Sequence, residues 1–454
     1  MKGDRLGLKK YFLSPISPPQ ILTAGFIVII LIGSILLSLP YATEDGIRTP
    51  FIDAFFTATT AACVTGLVVV DTGTHYSVFG ETVILMLMQV GGLGFMTMAT
   101  LFALAFRKKI SLRERLWLQE SMSHTSLEGI VRFIRRVLIY AFTIELAGAL
   151  LLAIRWSAVM PFDQALYYGV FHSVSLFTNA GLDIMGPLHG PFNSFTNHVE
   201  DPVINIVLML LIFLGGIGFI VLAEIIDFPK IRKLSLHSKV VLSTSGLLFL
   251  GGAVLLFIFE FTNTLEPLSL PGKLYSSLFQ SISPRSGGAN TLNIAEMRNA
   301  SQFLLIILMF IGASPGSAGG GIKVTTFAIL IGAVIAMIRG KEDVVFFKRR
   351  LAKDRVHKAL TITAVSIATI VLFTMILSAT EKTDFLTVMF EVTSAFGTTG
   401  LSMGLTPNLS DFGKLMIILV MFIGRMGPLT LAYTLVPHQS KELYRYPEGK
   451  ITIG

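Results

Sequence analysis

Four short polar stretches each contain a glycine where backbone carbonyl groups could bind a cation. Glycine reaches backbone angles that other residues avoid, and it has no Cβ to obstruct a close approach. Four such turns around one axis could replace the hydration shell of a monovalent cation with carbonyl oxygens. The stretches read Cys63-Val64-Thr65-Gly66-Leu67, Thr178-Asn179-Ala180-Gly181-Leu182, Arg285-Ser286-Gly287-Gly288-Ala289 and Thr398-Thr399-Gly400-Leu401.

Each glycine turn follows a short apolar run. A helix of twelve residues rises only about 18 Å, against a hydrocarbon core of about 30 Å. Such pieces cannot cross a bilayer, so we expect half-helices that enter it and turn back, with their partially negative C-terminal ends toward the turns. The four runs are Phe51 to Ala62, Phe162 to Phe177, Lys273 to Ile282 and Phe385 to Phe396.

The composition is that of a membrane protein. Of the 454 residues 53% are hydrophobic and only 14% are charged, against about 25% charged in a soluble domain. This excludes a soluble enzyme and a disordered chain. Eight long apolar runs predict eight crossings: Ile21 to Leu39, Thr82 to Phe106, Phe133 to Trp156, Val203 to Ile226, Lys239 to Phe261, Phe303 to Ile338, Ala359 to Ala379 and Leu415 to Val436.

The positive charges separate by side of the membrane. Of the 36 Lys and Arg residues, 27 lie in the five segments on the side of the two termini. The positive-inside rule therefore predicts a multi-pass protein of the cell membrane with both termini cytoplasmic. The net charge of +8 is accounted for by this asymmetry, and no nucleic-acid partner is expected.

The order span, half-helix, glycine turn and span occurs four times. The sequence thus predicts an all-α polytopic fold with four tandem repeats around a central pore, comprising eight transmembrane helices and four re-entrant pore helices. The repeats occupy residues 21–106, 133–226, 239–338 and 359–436. The predicted cytoplasmic segments are 1–20, 107–132, 227–238, 339–358 and 437–454.

A second glycine motif recurs inside the crossing that follows each turn. Close helix packing explains these glycines as well as a pore does, and both interpretations stay open. The motifs are Gly91-Gly92-Leu93-Gly94-Phe95, Gly215-Gly216-Ile217-Gly218-Phe219, the stretch from Gly312 to Gly321, and Gly424-Arg425-Met426-Gly427-Pro428.

The third of these motifs is too rich in glycine and proline to stay helical. An interruption at membrane depth must be buried or line a cavity, so the segment 312–321 is a candidate intramembrane gate, with a simple kink as the alternative. Its candidate residues are Gly312, Pro315, Gly316, Gly319, Gly320 and Gly321.

Two cations inside predicted spans are also candidates for gating. Lys323 follows the interruption, and we expect it to pair with a carboxylate or a carbonyl. Arg425 is costly at mid-span unless it is solvated or paired, which favours a positive barrier below the glycine turns. The alternative is an interhelical salt bridge with Glu145, Glu224 or Glu391. Arg285 is expected to brace the third turn by hydrogen bonds.

Together these motifs resemble the bacterial Trk/Ktr/HKT superfamily of K⁺ transporters, and within it the KtrB/KtrD-type membrane subunits. The resemblance covers essentially the whole chain. It implies K⁺ uptake through a filter with one glycine per repeat, at which K⁺ binds: Gly66, Gly181, Gly288 and Gly400. The implied filter also contains Val64, Thr65, Asn179, Ala180, Ser286, Gly287, Thr398 and Thr399.

The same resemblance implies further properties. Members with serine at the first filter position are associated with Na⁺ transport, so Gly66 favours K⁺. The third turn departs from the family pattern, which leaves Gly287 or Gly288 as its filter glycine. The barrier role of Arg425, a homodimer, and a cytosolic ring of nucleotide-binding RCK regulators of the KtrA/KtrC type are also implied.

Other classes of function find little support in the residues. The sequence has no dinucleotide-binding or Walker motif and no metal-ligand spacing among its histidines and Cys63. No enzyme and no tightly bound cofactor is therefore expected, with K⁺ as the transported ion and Na⁺ as an activator left open. The remaining alternative is a Na⁺-coupled or alternating-access cation carrier, which usually shows inverted repeats.

Overall fold

The computed structural model describes residues 18–94, 97 and 130–427, and these form a mostly helical chain. Its helices are α1 (Pro18–Leu37), α2 (Phe51–Ala62), α3 (Thr72–His75), α4 (Val78–Leu93), α5 (Ile130–Trp156), α6 (Phe162–Phe177), α7 (Gly186–His189), α8 (Pro202–Gly216), α9 (Phe219–Ile231), α10 (Leu236–Glu260), α11 (Leu270–Ile282), α12 (Asn299–Ile311), α13 (Val324–Ile338), α14 (Lys353–Thr380), α15 (Phe385–Gly397) and α16 (Asp411–Met426).

Short elements complete the described chain. Four 3₁₀ turns lie in the loops, and two strands, β1 (Val345–Phe346) and β2 (Arg349–Arg350), form an antiparallel hairpin in which Val345 pairs with Arg350. The predictions for residues 1–17, 95–96, 98–129 and 428–454 lie outside the described residues.

Four described helices are long and apolar enough to cross a membrane. They are α1, α5, α10 and α14, with qualifying windows Gln20–Leu37, Val131–Trp156, Leu236–Glu260 and Lys353–Thr380. Each packs against the short helix that follows it, namely α2, α6, α11 and α15. The short helices α2 and α6 have the bounds expected from the sequence. Helix α11 begins at Leu270, three residues before the predicted start at Lys273, because the Ser269 hydroxyl caps its N-terminus by accepting from Gly272 N.

A glycine with positive φ lies within two residues after the next helix of each repeat. These glycines are Gly94 (86°), Gly218 (90°), Gly312 (62°) and Gly427 (80°). The run Val203 to Ile226, expected as one crossing, is instead the pair α8 and α9, bent by 107°. The bend arises because Gly216 O accepts from Ser314 N (3.0 Å) and Phe219 N donates to Gly316 O (2.9 Å), so neither bond continues the helix.

Contacts among these helices follow a closed cycle. Helix α4 contacts α6, α8 contacts α11, α12 contacts α15, and α16 returns to α2. Each short helix is therefore held between the long helix before it and a helix of the preceding repeat. The cycle brings the first and last quarters of the described chain together.

An ion pair joins the two ends of this cycle. Lys414 Nζ lies 2.6 Å from Asp53 Oδ1, and the two side chains are 13% and 14% exposed. Lys414 belongs to the first turn of α16 and Asp53 to the first turn of α2. Because both charges are largely withdrawn from water, removal of one leaves the other poorly solvated.

We expect Lys414→Met to lower the free energy of unfolding by about 1–3 kcal/mol, a range between those of exposed and buried pairs. The measurement is thermal unfolding of the purified protein. The matched control is Asp411→Asn, which removes the 80% exposed carboxylate 3.7 Å from the same lysine and should change little. Equal losses in the two variants would contradict a special role for the Asp53 pair.

Candidate functional site

The four glycine turns share one backbone conformation. The residue two positions before each glycine has a left-handed φ: Val64 57°, Asn179 60°, Ser286 72° and Thr398 47°. The glycines follow with positive φ: Gly66 93°, Gly181 68°, Gly288 71° and Gly400 92°. The third turn therefore matches the others with Gly288 as its glycine and Gly287 as its middle residue, a register that the sequence left open.

The four glycines lie against one another's neighbours. A Cβ added at Gly66 would lie 2.4 Å from Ala180 O, and one at Gly400 would lie 2.3 Å from Thr65 O. A Cβ added at Gly288 would lie 2.5 Å from Thr399 O, and one added at Gly181 would lie 2.9 Å from Gly287 O. In every case the oxygen belongs to the middle residue of a neighbouring turn. Four glycines and four carbonyl groups thus form one closed ring, which any side chain would disrupt.

Hydroxyl groups of the short helices hold the turns in place. Thr60 Oγ1 accepts from Gly66 N at 2.9 Å, and Ser394 Oγ accepts from Gly400 N at 3.1 Å. Ser175 lies at the same spacing of six residues before Gly181, and its hydroxyl donates to Leu182 O at 2.6 Å. These hydroxyls were not predicted, although their constant spacing of six residues before the glycine is visible in the sequence.

Glycines of the second motif pack against the C-terminal ends of the short helices. A Cβ at Gly91 would lie 2.1 Å from Ala62 O, one at Gly215 1.9 Å from Phe177 O, and one at Gly424 2.1 Å from Phe396 O. Each contact joins a helix to the C-terminal end of the short helix in its own repeat. Close helix packing and a role at the glycine turns are therefore compatible interpretations of this motif, because the packing of these glycines positions the turns.

We expect Gly215→Ala to lower the free energy of unfolding by about 1–3 kcal/mol, the usual cost of overpacking, because the obstructing atom is a backbone oxygen that has little room to move. Thermal unfolding of the purified variant measures the effect. Gly246→Ala in α10 is the matched control, since nothing lies within 4 Å of its added Cβ. A Gly215→Ala protein as stable as the control would contradict this packing role.

A cavity of about 450 Å³ opens on one side of the ring. All four glycines line it, together with polar groups from the loops that follow them, among which are Asp71, Asp183, Asn290, Asn293 and Ser402. The loop after the fourth turn is held by the buried carboxylate of Glu391, which accepts from Met403 N (3.0 Å), Leu405 N (3.3 Å) and two hydroxyls.

The 312–323 loop, which connects α12 to α13, lies on the other side of the ring. Gly320 N donates to Thr398 Oγ1 at 2.8 Å, and a Cβ at Gly319 would lie 2.6 Å from Ser286. Both partners precede their ring glycines by two residues. The segment is a non-helical loop rather than a simple kink, and its amides also donate to Gly216 O (from Ser314 N) and to its own Gly320 O (from Ala313 N).

Two cations hold the 312–323 loop through backbone carbonyls. Lys323 Nζ donates to Gly319 O and, at 3.4 Å, to Gly320 O. Arg425 donates to Ala318 O of the loop and to Gly91 O of α4. Its guanidinium therefore joins three parts of the fold: α16, the loop and the end of α4.

The salt-bridge alternative for Arg425 is wrong, because all three proposed carboxylates have other partners. Glu145 accepts from Gln89 (3.0 Å), Glu224 accepts from Ser235 N (2.9 Å), and Glu391 holds the loop after the fourth turn. Arg285 braces its turn as expected, donating to the carbonyl and the hydroxyl of Ser245 in α10 at 3.2 and 2.9 Å.

Comparison with known proteins identifies the family. The family model described as "TrkH: Cation transport protein" matches residues 10–446. The chain belongs to the TrkH family. Because TrkH proteins are cation transporters, the sequence-based exclusion of an enzyme is confirmed, as is the resemblance to the Trk and Ktr proteins.

Individual relatives of the TrkH family match nearly end to end. The chain is 40% identical to the Ktr system potassium uptake protein B of Bacillus subtilis, over 96% of this chain and 97% of the relative. It is 38% identical to the potassium/sodium uptake protein NtpJ of Enterococcus hirae, over 98% and 99%. The crystal structure of the potassium transporter TrkH from Vibrio parahaemolyticus matches at a TM-score of 0.73 with 20% identity, over 94% of this chain and 86% of that one.

Proposed function

We propose that this chain is the ion-translocating membrane subunit of a bacterial K⁺ uptake system. The observation that carries the proposal is the closed ring of four glycines and the carbonyls of Thr65, Ala180, Gly287 and Thr399. Carbonyl oxygens grouped at one place are what a dehydrated monovalent cation requires. The relatives named for potassium uptake at 38–40% identity support K⁺ as that ion.

In this proposal the ring is the selectivity filter and the 450 Å³ cavity is its outer mouth. The short helices end at the turns, so their partially negative ends favour a cation there. Asp71 and Asp183 in the mouth add negative charge. The ring lies within an arrangement of eight crossings and four re-entrant helices, supported by the cycle of helix contacts and by the four glycine breaks.

The 312–323 loop is proposed as the gate. It lies directly against two filter turns, and its two cationic anchors put positive charge beneath the ring, which opposes the passage of K⁺. Opening requires the loop to exchange its bonds to Arg425, Thr398 and Gly216 for other partners. The buried, irregular backbone supports this role, because such a segment at membrane depth lines a path or is covered by protein.

A multi-component system is proposed as well. Two relatives are named as proteins B and D of a Ktr system, and lettered names indicate several components. We propose a cytosolic RCK regulator ring of the KtrA/KtrC type, contacting basic segments such as the hairpin at Lys348 to Arg350. A homodimer, with both termini cytoplasmic and one pore in each protomer, completes the assembly.

Gly66→Ser tests the filter. We expect K⁺ (measured as Rb⁺) uptake to fall at least about tenfold, or to lose discrimination against Na⁺, because the new Cβ would displace the carbonyl of Ala180. The measurement is uptake of Rb⁺ and Na⁺ in a host that lacks its own K⁺ uptake systems.

Gly404→Ser is the matched control for this test. Gly404 lines the same cavity with φ 90°, yet nothing lies within 4 Å of its added Cβ. The two variants carry similar backbone strain, so only Gly66→Ser should alter selectivity. Equal effects of the two variants on selectivity would contradict the assignment of the selectivity filter to the ring.

Arg425→Gln tests the gate. We expect Rb⁺ uptake in the absence of a regulator to rise several-fold, because the loop loses an anchor and the path loses a positive charge. Arg136→Gln, which removes a 50% exposed partner of Asp227, is the control and should leave uptake unchanged. Unaltered uptake by a folded Arg425→Gln protein would exclude the gating role.

Na⁺ transport or coupling is the second candidate, favoured by the name of the potassium/sodium relative. The same uptake experiment separates the two. Rb⁺ uptake that does not depend on external Na⁺ supports a K⁺ channel-like subunit. Rb⁺ uptake that requires Na⁺, together with saturable Na⁺ entry, supports a coupled carrier.

A further inference from the structure

Two histidines face each other at the ends of the segment 189–198, in the loop that follows the second glycine turn. His189 ends α7 and His198 ends the 3₁₀ turn Thr196–His198. Their Nε2 atoms lie 3.2 Å apart, and the two rings are nearly perpendicular, with centroids 4.9 Å apart. Neither histidine has a role in the proposed filter or gate.

The separation of these nitrogens has a specific chemical meaning. Zinc binds histidine nitrogen at 2.0–2.1 Å in tetrahedral geometry, so two such nitrogens lie about 3.3 Å apart. The Nε2 atoms are already at this distance without any rearrangement. We propose that His189 and His198 form a two-histidine binding site for a divalent transition-metal ion such as Zn²⁺.

The chain holds both histidines in this position through their backbones. His189 O accepts from Asn193 Nδ2 at 2.6 Å. His198 O accepts from Asp201 N at 3.0 Å and from Asn205 Nδ2 at 2.8 Å. The Asn205 side chain is buried and also bonds Asp201 O, so the site is pre-organised by packed residues.

The contact between the two rings is a hydrogen bond, in which one Nε2 donates to the other; which ring donates depends on the tautomers. A metal ion would take the place of the shared hydrogen once the donating ring carries its proton on Nδ1, and each Nε2 would then offer its lone pair.

The occupant follows from the donors. Imidazole suits Zn²⁺, Cu²⁺ and Ni²⁺, whereas Mg²⁺ and Ca²⁺ select oxygen ligands. No group of three or more His, Cys, Asp or Glu side chains is placed to hold a metal ion in the part of the chain that the structure describes. Water therefore completes the coordination, and the site is an open, exchangeable one rather than a structural zinc centre.

A bound metal would tie together the two ends of the segment 189–198. Phe192 and Ser194, between those ends, line the mouth together with the ring glycines. Phe192 N donates to Asp71 at 2.8 Å, and Phe195 N donates to Asn290 O at 3.0 Å. The two histidines therefore flank a segment whose middle residues line the cavity.

Calorimetric titration of the full-length protein, purified without a polyhistidine tag, tests the site with Zn²⁺ as the probe. We expect saturable binding by the wild type and none of Mg²⁺. His189→Ala and His198→Ala should each weaken Zn²⁺ binding at least about tenfold, because even second-shell changes cost 10–100-fold. The exposed His357→Ala should bind as the wild type does.

A second readout covers variants that lose stability. Zn²⁺ should raise the thermal unfolding temperature of the wild type and of His357→Ala, but not that of His189→Gln, which keeps a polar group of similar size. Wild-type affinity in both alanine variants, or no saturable Zn²⁺ binding by folded wild-type protein, would overturn the site. Neither measurement involves transport, so this proposal and the proposed function fail separately.

Discussion

The constraint on which the structure depends is the close approach of four backbone turns. The atoms that would meet a Cβ at Gly66, Gly181, Gly288 and Gly400 are backbone atoms, among them carbonyl oxygens at 2.3–2.9 Å, and backbone atoms cannot move aside as a side chain can. Glycine is therefore required four times over. Gly91, Gly215 and Gly424 then allow the neighbouring helices to approach the short helices closely enough to hold those turns.

The irregular backbone around the ring is satisfied mainly by other irregular backbone. The amides of the 312–323 loop donate to the break between α8 and α9, to the Thr398 hydroxyl in the fourth glycine turn and to the loop itself. Within a membrane each unsatisfied amide costs several kcal/mol. The interruption at Gly312 and the bend at Gly218 are consequently one feature, since each supplies the hydrogen-bond partners that the other has lost.

The sequence predicted the elements better than their connections. Short apolar runs and the glycine turns after them located α2 and α6 to the residue, and in the structure Pro50 and Pro161 directly precede these helices. The bend at Gly218 escaped prediction since its cause lies about 100 residues away in the 312–323 loop. The partners of Arg425 were not predicted for a different reason. They are backbone carbonyl groups, which occur at every residue and therefore leave no pattern in the sequence, whereas carboxylates can be recognised by residue type.

The contact between α16 and α2 closes the cycle late in synthesis. Asp53 and Lys414 are 361 residues apart, and every other neighbouring pair in the cycle forms from consecutive repeats. During translation the first three repeats can assemble in order, but the ring stays open on one side until the last helix is made. An incomplete chain therefore exposes the carbonyl of Thr65 and the start of α2, which makes premature termination or a defective final helix a source of misassembly rather than of a partly active protein.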